Sequence, residues 1–133
     1  QEEGVKVYPS PQIIETIKDK GLQKAFYKNH NIPTSDFILL ENKNDVIENV
    51  NFLPAAHKLR TGGYDGKGVN ILKSEIDIKS TFDAPSVLEK LVDFEKEFAV
   101  IVARNEQGEI KTFPSVEIVP VPANGGLSIS PFQ

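Results

Sequence analysis

The run Lys58-Leu59-Arg60-Thr61-Gly62-Gly63-Tyr64-Asp65-Gly66-Lys67-Gly68 decides how the rest of this chain is read. Its glycines surround an aspartate and a lysine, and it lies between 55–59 and 69–72, which both read as strands. Glycine lets backbone amides approach a ligand closely, and consecutive amides form a concavity for phosphate oxygens, with lysine as countercharge. The spacing is not that of a P-loop, which would need Gly at 61 and Ser or Thr at 68, where Thr61 and Gly68 stand. A dinucleotide fingerprint is also excluded, because Gly66 and Gly68 are followed by Ile71 rather than a third glycine. On these residues alone two readings stay open: a phosphate cradle, or a glycine-rich hairpin loop with a solvated lysine.

Outward from the loop, the pattern alternates between strand and helix. Residues 36–41 read as a short strand, Asn44 as the cap of a helix over 45–50, and 75–82 as a short helix. Residues 86–92 are apolar enough for a further strand. The β-α-β-β-α-β order predicts an α+β fold, a layer of strands with two helices on one face. Toward the N-terminus, Ser10-Pro11 is a helix start, with Ile13, Ile14 and Ile17 at helical spacing. A second helical stretch follows Gly21 and places Leu22, Ala25 and Phe26 on one face, until Asn31-Ile32-Pro33-Thr34 stops it. Toward the C-terminus, 98–103 is apolar on both faces and is expected to be a buried strand. Asn105-Glu106-Gln107-Gly108 is a turn, and 109–113 its returning partner.

Composition narrows the function classes. The 133 residues are 39% hydrophobic and 26% charged, the range of one globular domain. Cysteine is absent, which excludes disulfides, thiolate catalysis and zinc–cysteine sites. The net charge is -4 with scattered lysines, against nucleic acid as the main ligand. The apolar run 98–103 is far shorter than the roughly 20 residues of a membrane helix. The expectation is a cytoplasmic enzyme or binding domain, with neither leader nor membrane partner. With no methionine anywhere, the chain also reads as a piece of a longer protein.

Other clusters carry weaker signals. Glu89-Lys90-Leu91-Val92, followed by Asp93, Phe94, Glu95 and Glu97, is either a solvated connector or a set of carboxylates facing a ligand's hydroxyls or a metal, with backbone groups free for a purine edge. Lys20, beside Asp19 where two helical stretches meet, either reaches a phosphate or is solvated. Arg104 either pairs with an anionic substrate or caps a sheet edge, and Glu117 faces a site or the surface. His30 and His57 are single and far apart, and are expected to be structural. Neither histidine suggests metal ligation or a catalytic triad.

Together these residues are more specific. Asp19-Lys20 with Lys24, Ile32-Pro33-Thr34, Lys58 with 62–68, Glu89 with Val92 and Glu97, and Val102-Ala103-Arg104 with Gly108-Glu109 resemble the ATP-grasp superfamily. Within it, Lys-x-x-x-Gly-Gly-Tyr-Asp-Gly-Lys-Gly is similar to the 5-(carboxyamino)imidazole ribonucleotide synthetase family, the ATPase subunits of phosphoribosylaminoimidazole carboxylase. The resemblance implies an ATP-dependent ligase of purine biosynthesis that joins bicarbonate to 5-aminoimidazole ribonucleotide through carboxyphosphate, with ATP and Mg2+ as cofactors and a homodimeric parent. A related carboxylase or formyl-phosphate ligase, or a non-catalytic nucleotide-binding module, stays open as an alternative.

The resemblance also assigns positions. Lys20 and Lys58 would reach the ATP phosphates. Gly63, Tyr64, Asp65, Gly66, Lys67 and Gly68 would form the loop closing over them. Glu89, Lys90, Leu91 and Val92 would be the hinge, with backbone groups on the adenine edge, and Glu97 would take the ribose hydroxyls. Val69 stands where the family commonly has glutamine, so a polar contact is missing there. The implied organisation is a helical segment at 1–30 following an N-terminal domain, an ATP-grasp small subdomain at 31–90, and the first strands of a second lobe at 91–133. Catalytic residues and metal ligands would then lie outside this chain.

Overall fold

The computed structural model describes residues 6–63, 67–120 and 127–131. It divides into two compact units, Gln1–Val92 and Asp93–Gln133.

The first unit opens with two helices, α1 (Pro11–Lys18) and α2 (Lys20–Asn29). Ser10 caps α1 through its side chain, with proline in the first turn where the missing N–H is harmless. Helix α2 begins at Lys20, two residues before the predicted start, because the Asp19 carboxylate accepts the N–H groups of Gly21 and Leu22. It ends as the sequence suggests: Asn31 takes a left-handed φ of 53°, and the N–H of Ile32 returns to the Tyr27 carbonyl at 2.9 Å.

Next come β1 (Phe37–Leu40), α3 (Lys43–Glu48), a 3-10 turn (Val50–Phe52), β2 (Ala55–Leu59), β3 (Val69–Leu72), a 3-10 helix (Glu75–Ser80) and β4 (Ser86–Lys90). Two boundaries differ from the sequence expectation. The cap of α3 is Asn42 rather than Asn44, because Asp45 reaches back to the Asn42 N–H and completes a capping box. Strand β4 stops at Lys90, leaving Leu91 and Val92 beyond it. The helix expected at 75–82 is the 3-10 segment, started by a box between Ser74 and Asp77.

The four strands form one antiparallel sheet in the order β1-β4-β2-β3. Alternation gives it two faces. Leu40, Ala55, Leu72 and Leu88 join Val46 of α3 in the buried core, with Ile78 packed against them. Both segments between strands therefore cover one face, as the β-α-β-β-α-β reading requires. The opposite face carries Val87, Ala56, Lys58 and Glu89, and there Lys24 of α2 comes to rest.

The second unit contains β5 (Glu97–Ala99), β6 (Val102–Arg104), β7 (Ile110–Thr112), β8 (Val116–Pro120) and β9 (Leu127–Pro131). Strands β5-β8-β9 form one sheet and β6-β7 a hairpin turning at Gly108. The expectation of a single buried strand at 98–103 is corrected here. The run breaks at Val100 and Ile101 between two sheets, and Phe98, Val100, Ile101 and Val102 are about half exposed or more. An apolar run shows readiness to be covered, and among the described residues of this unit no layer covers it. Among the described residues, no helix is long and apolar enough to cross a membrane.

Candidate functional site: a lysine-flanked glycine turn

Strands β2 and β3 bring the two ends of the glycine-rich run together. Lys58 pairs with Val69 across the ladder, and the Leu59 N–H bonds the Gly68 carbonyl at 2.9 Å. Gly62 and Gly68 have φ of +76° and +78°, a region glycine enters freely. Gly63 is constrained by space: a Cβ there would stand 2.8 Å from the Lys67 carbonyl and 3.6 Å from Lys20 Nζ. Gly63 thus sits against the Lys67 backbone with an ammonium beside it. Tyr64, Asp65 and Gly66 lie outside the described residues.

Lys20 is held there by its neighbours. Its N–H donates to the Arg60 carbonyl at 3.0 Å, and Arg60 Nε and Nη2 donate to the Asp19 carboxylate at 2.9 and 2.8 Å. Gly21 makes room for this fork, since a Cβ there would meet Arg60 Nε at 2.7 Å. Hydrogen bonds from Arg60, opposed by burial and helped by the helix amides, hold the Asp19 carboxyl below the usual range. The same contact raises the pKa of Arg60.

Lys58 and Glu89 meet on the face opposite the core. Glu89 Oε2 lies 3.1 Å from Lys58 Nζ and 3.1 Å from Lys24 Nζ, and accepts a 3.3 Å bond from the Ser35 hydroxyl. Burial pushes the Glu89 carboxyl up, but the hydrogen bonds from Lys24 and Lys58 outweigh it and leave the group below its ordinary value. Beyond Glu89, the Lys90 ammonium turns away to the Phe52 and Leu53 carbonyls. The Leu91 N–H contacts the Pro54 carbonyl at 3.4 Å, and Val92 is 59% exposed.

The remaining predicted positions fall elsewhere. Lys67 is exposed at the far side of the turn, and Val69 points from β3 at 36% exposure. Glu97, in the second unit, lines a cavity of about 210 Å3 with Phe94 and Glu117, whose carboxylate pairs with Lys96 at 3.2 Å. Arg104 lies on exposed β6, beside the Gly108 turn. His30 bonds and stacks locally on Phe26. His57 is wholly buried, with Nε2 at 2.8 Å from the Ser86 hydroxyl and Nδ1 without a hydrogen-bond partner. Burial lowers its pKa. A cavity of about 560 Å3 opens between Lys28 and Phe52 at the loop before β1, and none of the predicted positions lines it.

Two residues given no role in the sequence reading belong to this constellation. Arg60 had no signal beyond its charge beside the glycines. Lys24 had one, its place among the residues that carry the family resemblance, but only the structure buries it and pairs it with Glu89. Among the described residues, no group of three His, Asp or Glu is gathered to hold a metal ion.

The arrangement gathers positive charge beside the glycine turn, and this chain is similar to known proteins over most of its length. The bifunctional purine synthesis protein purC/E of Dictyostelium discoideum is 38% identical over 123 residues, covering 84% of this chain and 12% of that protein. The N5-carboxyaminoimidazole ribonucleotide synthase of Synechococcus elongatus is 34% identical, covering 88% and 31%. The structure of carboxyaminoimidazole ribonucleotide synthase from Aspergillus clavatus complexed with ATP superposes with a TM-score of 0.80 at 32% identity, covering 90% of this chain and 33% of that one. The chain thus spans a third or less of the length of these relatives. The sequence pattern of the ATP-grasp domain matches residues 25–129, and with the glycine turn and its lysines in place this chain belongs to the ATP-grasp family.

Proposed function

We propose that this chain is the nucleotide-binding part of an ATP-dependent ligase that joins bicarbonate to the amine of 5-aminoimidazole ribonucleotide in purine biosynthesis. The observation that carries the reading is the Gly63 cradle with Lys20 Nζ beside it and Lys58 on the strand entering it. Relatives bearing the synthase name support the choice of substrate. In this reading Lys20 and Lys58 neutralise the phosphates of ATP, and the turn closes over them to keep water from carboxyphosphate. The backbone from Glu89 to Val92 meets the adenine edge, and Glu97 takes the ribose hydroxyls. Bicarbonate attacks the γ-phosphorus and ADP leaves; carboxyphosphate then yields the CO2 that the amine captures. Mg2+ would screen the phosphate charge, and in this reading its ligands lie in a segment of the full-length protein outside this chain. In the same reading 1–30 is a helical lead-in, 31–90 the small subdomain and 91–133 the start of the second lobe. The full-length protein is a cytoplasmic homodimer with contacts outside this segment.

ADP release by the full-length protein, with ATP, Mg2+ and bicarbonate, tests this directly. Stimulation by 5-aminoimidazole ribonucleotide is the expected result. Release indifferent to the ribonucleotide would keep the ATP site and point to another carboxylase or formyl-phosphate ligase. No release would leave a nucleotide-binding module without catalysis.

A further inference from the structure

Three charged side chains from α2, β2 and β4 meet on one carboxylate oxygen. Lys24 and Lys58 each place Nζ 3.1 Å from Glu89 Oε2, so the group carries two cations for one anion. The two lysines are not equivalent. The Lys24 side chain is 10% exposed, and its ammonium also donates to the Thr34 hydroxyl at 2.6 Å and the Ser35 hydroxyl at 3.0 Å. It further lies 5.8 Å from the centre of the Phe37 ring. Lys58 is 29% exposed, and Glu89 is its one ion-pair partner among the described residues. Lys24 is fixed and Lys58 can leave.

An ammonium that must reach a phosphate has to give up its resting partner. Were Glu89 paired with Lys58 alone, that departure would strand a buried carboxylate, which is strongly unfavourable. With Lys24 and Ser35 already on Oε2, Glu89 stays compensated when Lys58 turns away. We infer that Lys24 is a positioning residue: by holding the Glu89 carboxylate neutralised, it leaves Lys58 free to engage an anionic ligand at the glycine turn. The inference rests on the ATP reading above and adds to it a residue that never touches the nucleotide.

Calorimetric titration of the full-length protein with ATP and with adenosine separates this role from simple scaffolding. Lys24→Met is expected to weaken ATP roughly tenfold, one step of about 1.4 kcal/mol, while adenosine, which offers no phosphate, changes less than about twofold. Lys24→Arg should retain ATP affinity. Adding Glu89→Gln to Lys24→Met should restore much of it, because Lys58 then has no carboxylate to abandon. Equal losses for ATP and adenosine, or no loss for either, would overturn the inference. If Lys24→Met does not fold, Glu89→Gln and the double variant should bind ATP equally; a difference between them means Lys24 acts by another route. Wild-type protein that binds adenosine but gains nothing from the phosphates would remove the phosphate site and this inference with it. Failure of Lys24→Met to discriminate, with ATP bound tightly by the wild type, would remove the inference alone.

Discussion

Gly63 has no room for a side chain: an added methyl would sit 2.8 Å from the Lys67 carbonyl, a backbone atom that cannot swing aside. Gly63→Ala is therefore expected to spread the turn and lower ATP affinity in the full-length protein by roughly tenfold or more. Unchanged affinity in a nucleotide titration would take the turn out of the binding site. Asp19 makes the complementary case, because one carboxylate caps α2 and receives the Arg60 fork. Asp19→Asn retains an acceptor for the helix amides but loses the charge, so the cost should be about 1–3 kcal/mol, the value of a charge-assisted hydrogen bond. Urea unfolding would read it as a lower midpoint with an unchanged slope.

Strand β2 shows what a linear reading can and cannot reach. Its bounds, 55–59, and those of β3, 69–72, follow from apolar patterning between turn residues, and the structure reproduces both. The Ser10-Pro11 start and the Asn31 stop were legible for the same reason, since caps act on residues within a few positions. Contacts across the sheet were not. Arg60 meets Asp19 forty-one positions away, and Lys24 meets Glu89 only because β4 sits between β1 and β2. No spacing rule encodes a strand order. Residues 98–103 failed differently, because apolarity on both faces does not say whether the covering layer belongs to the same unit. His57, expected to be structural, is wholly buried, and its burial has a measurable consequence. A lowered folded-state pKa means the unfolded chain binds the proton more readily, so the contribution is complete above about pH 6.5 and lost as pH falls through the lower folded value. Between pH 7 and 5.5, stability should fall with a slope of up to about 1.4 kcal/mol per pH unit, and His57→Gln should flatten it in denaturant titrations.

At the scale of the whole molecule, the reading proposed above gives Glu97 the ribose hydroxyls of ATP. Glu97→Gln should weaken ATP about tenfold while leaving a 2′,3′-dideoxy nucleotide nearly unaffected, since only ATP has hydroxyls to lose. Equal losses for the two nucleotides would remove the ribose role. The clasp between Asp19 and Arg60 reaches further than either residue. It joins the first turn of α2 to the end of β2, and the Arg60 N–H in turn bonds the Pro85 carbonyl just before β4. Opening at any one of these points exposes the others, so the amides of Lys20, Gly21, Leu22 and Arg60 should exchange with deuterium as one group, at one free energy of opening. Helix α2 is then no loose lead-in but part of the sheet's own cooperative unit.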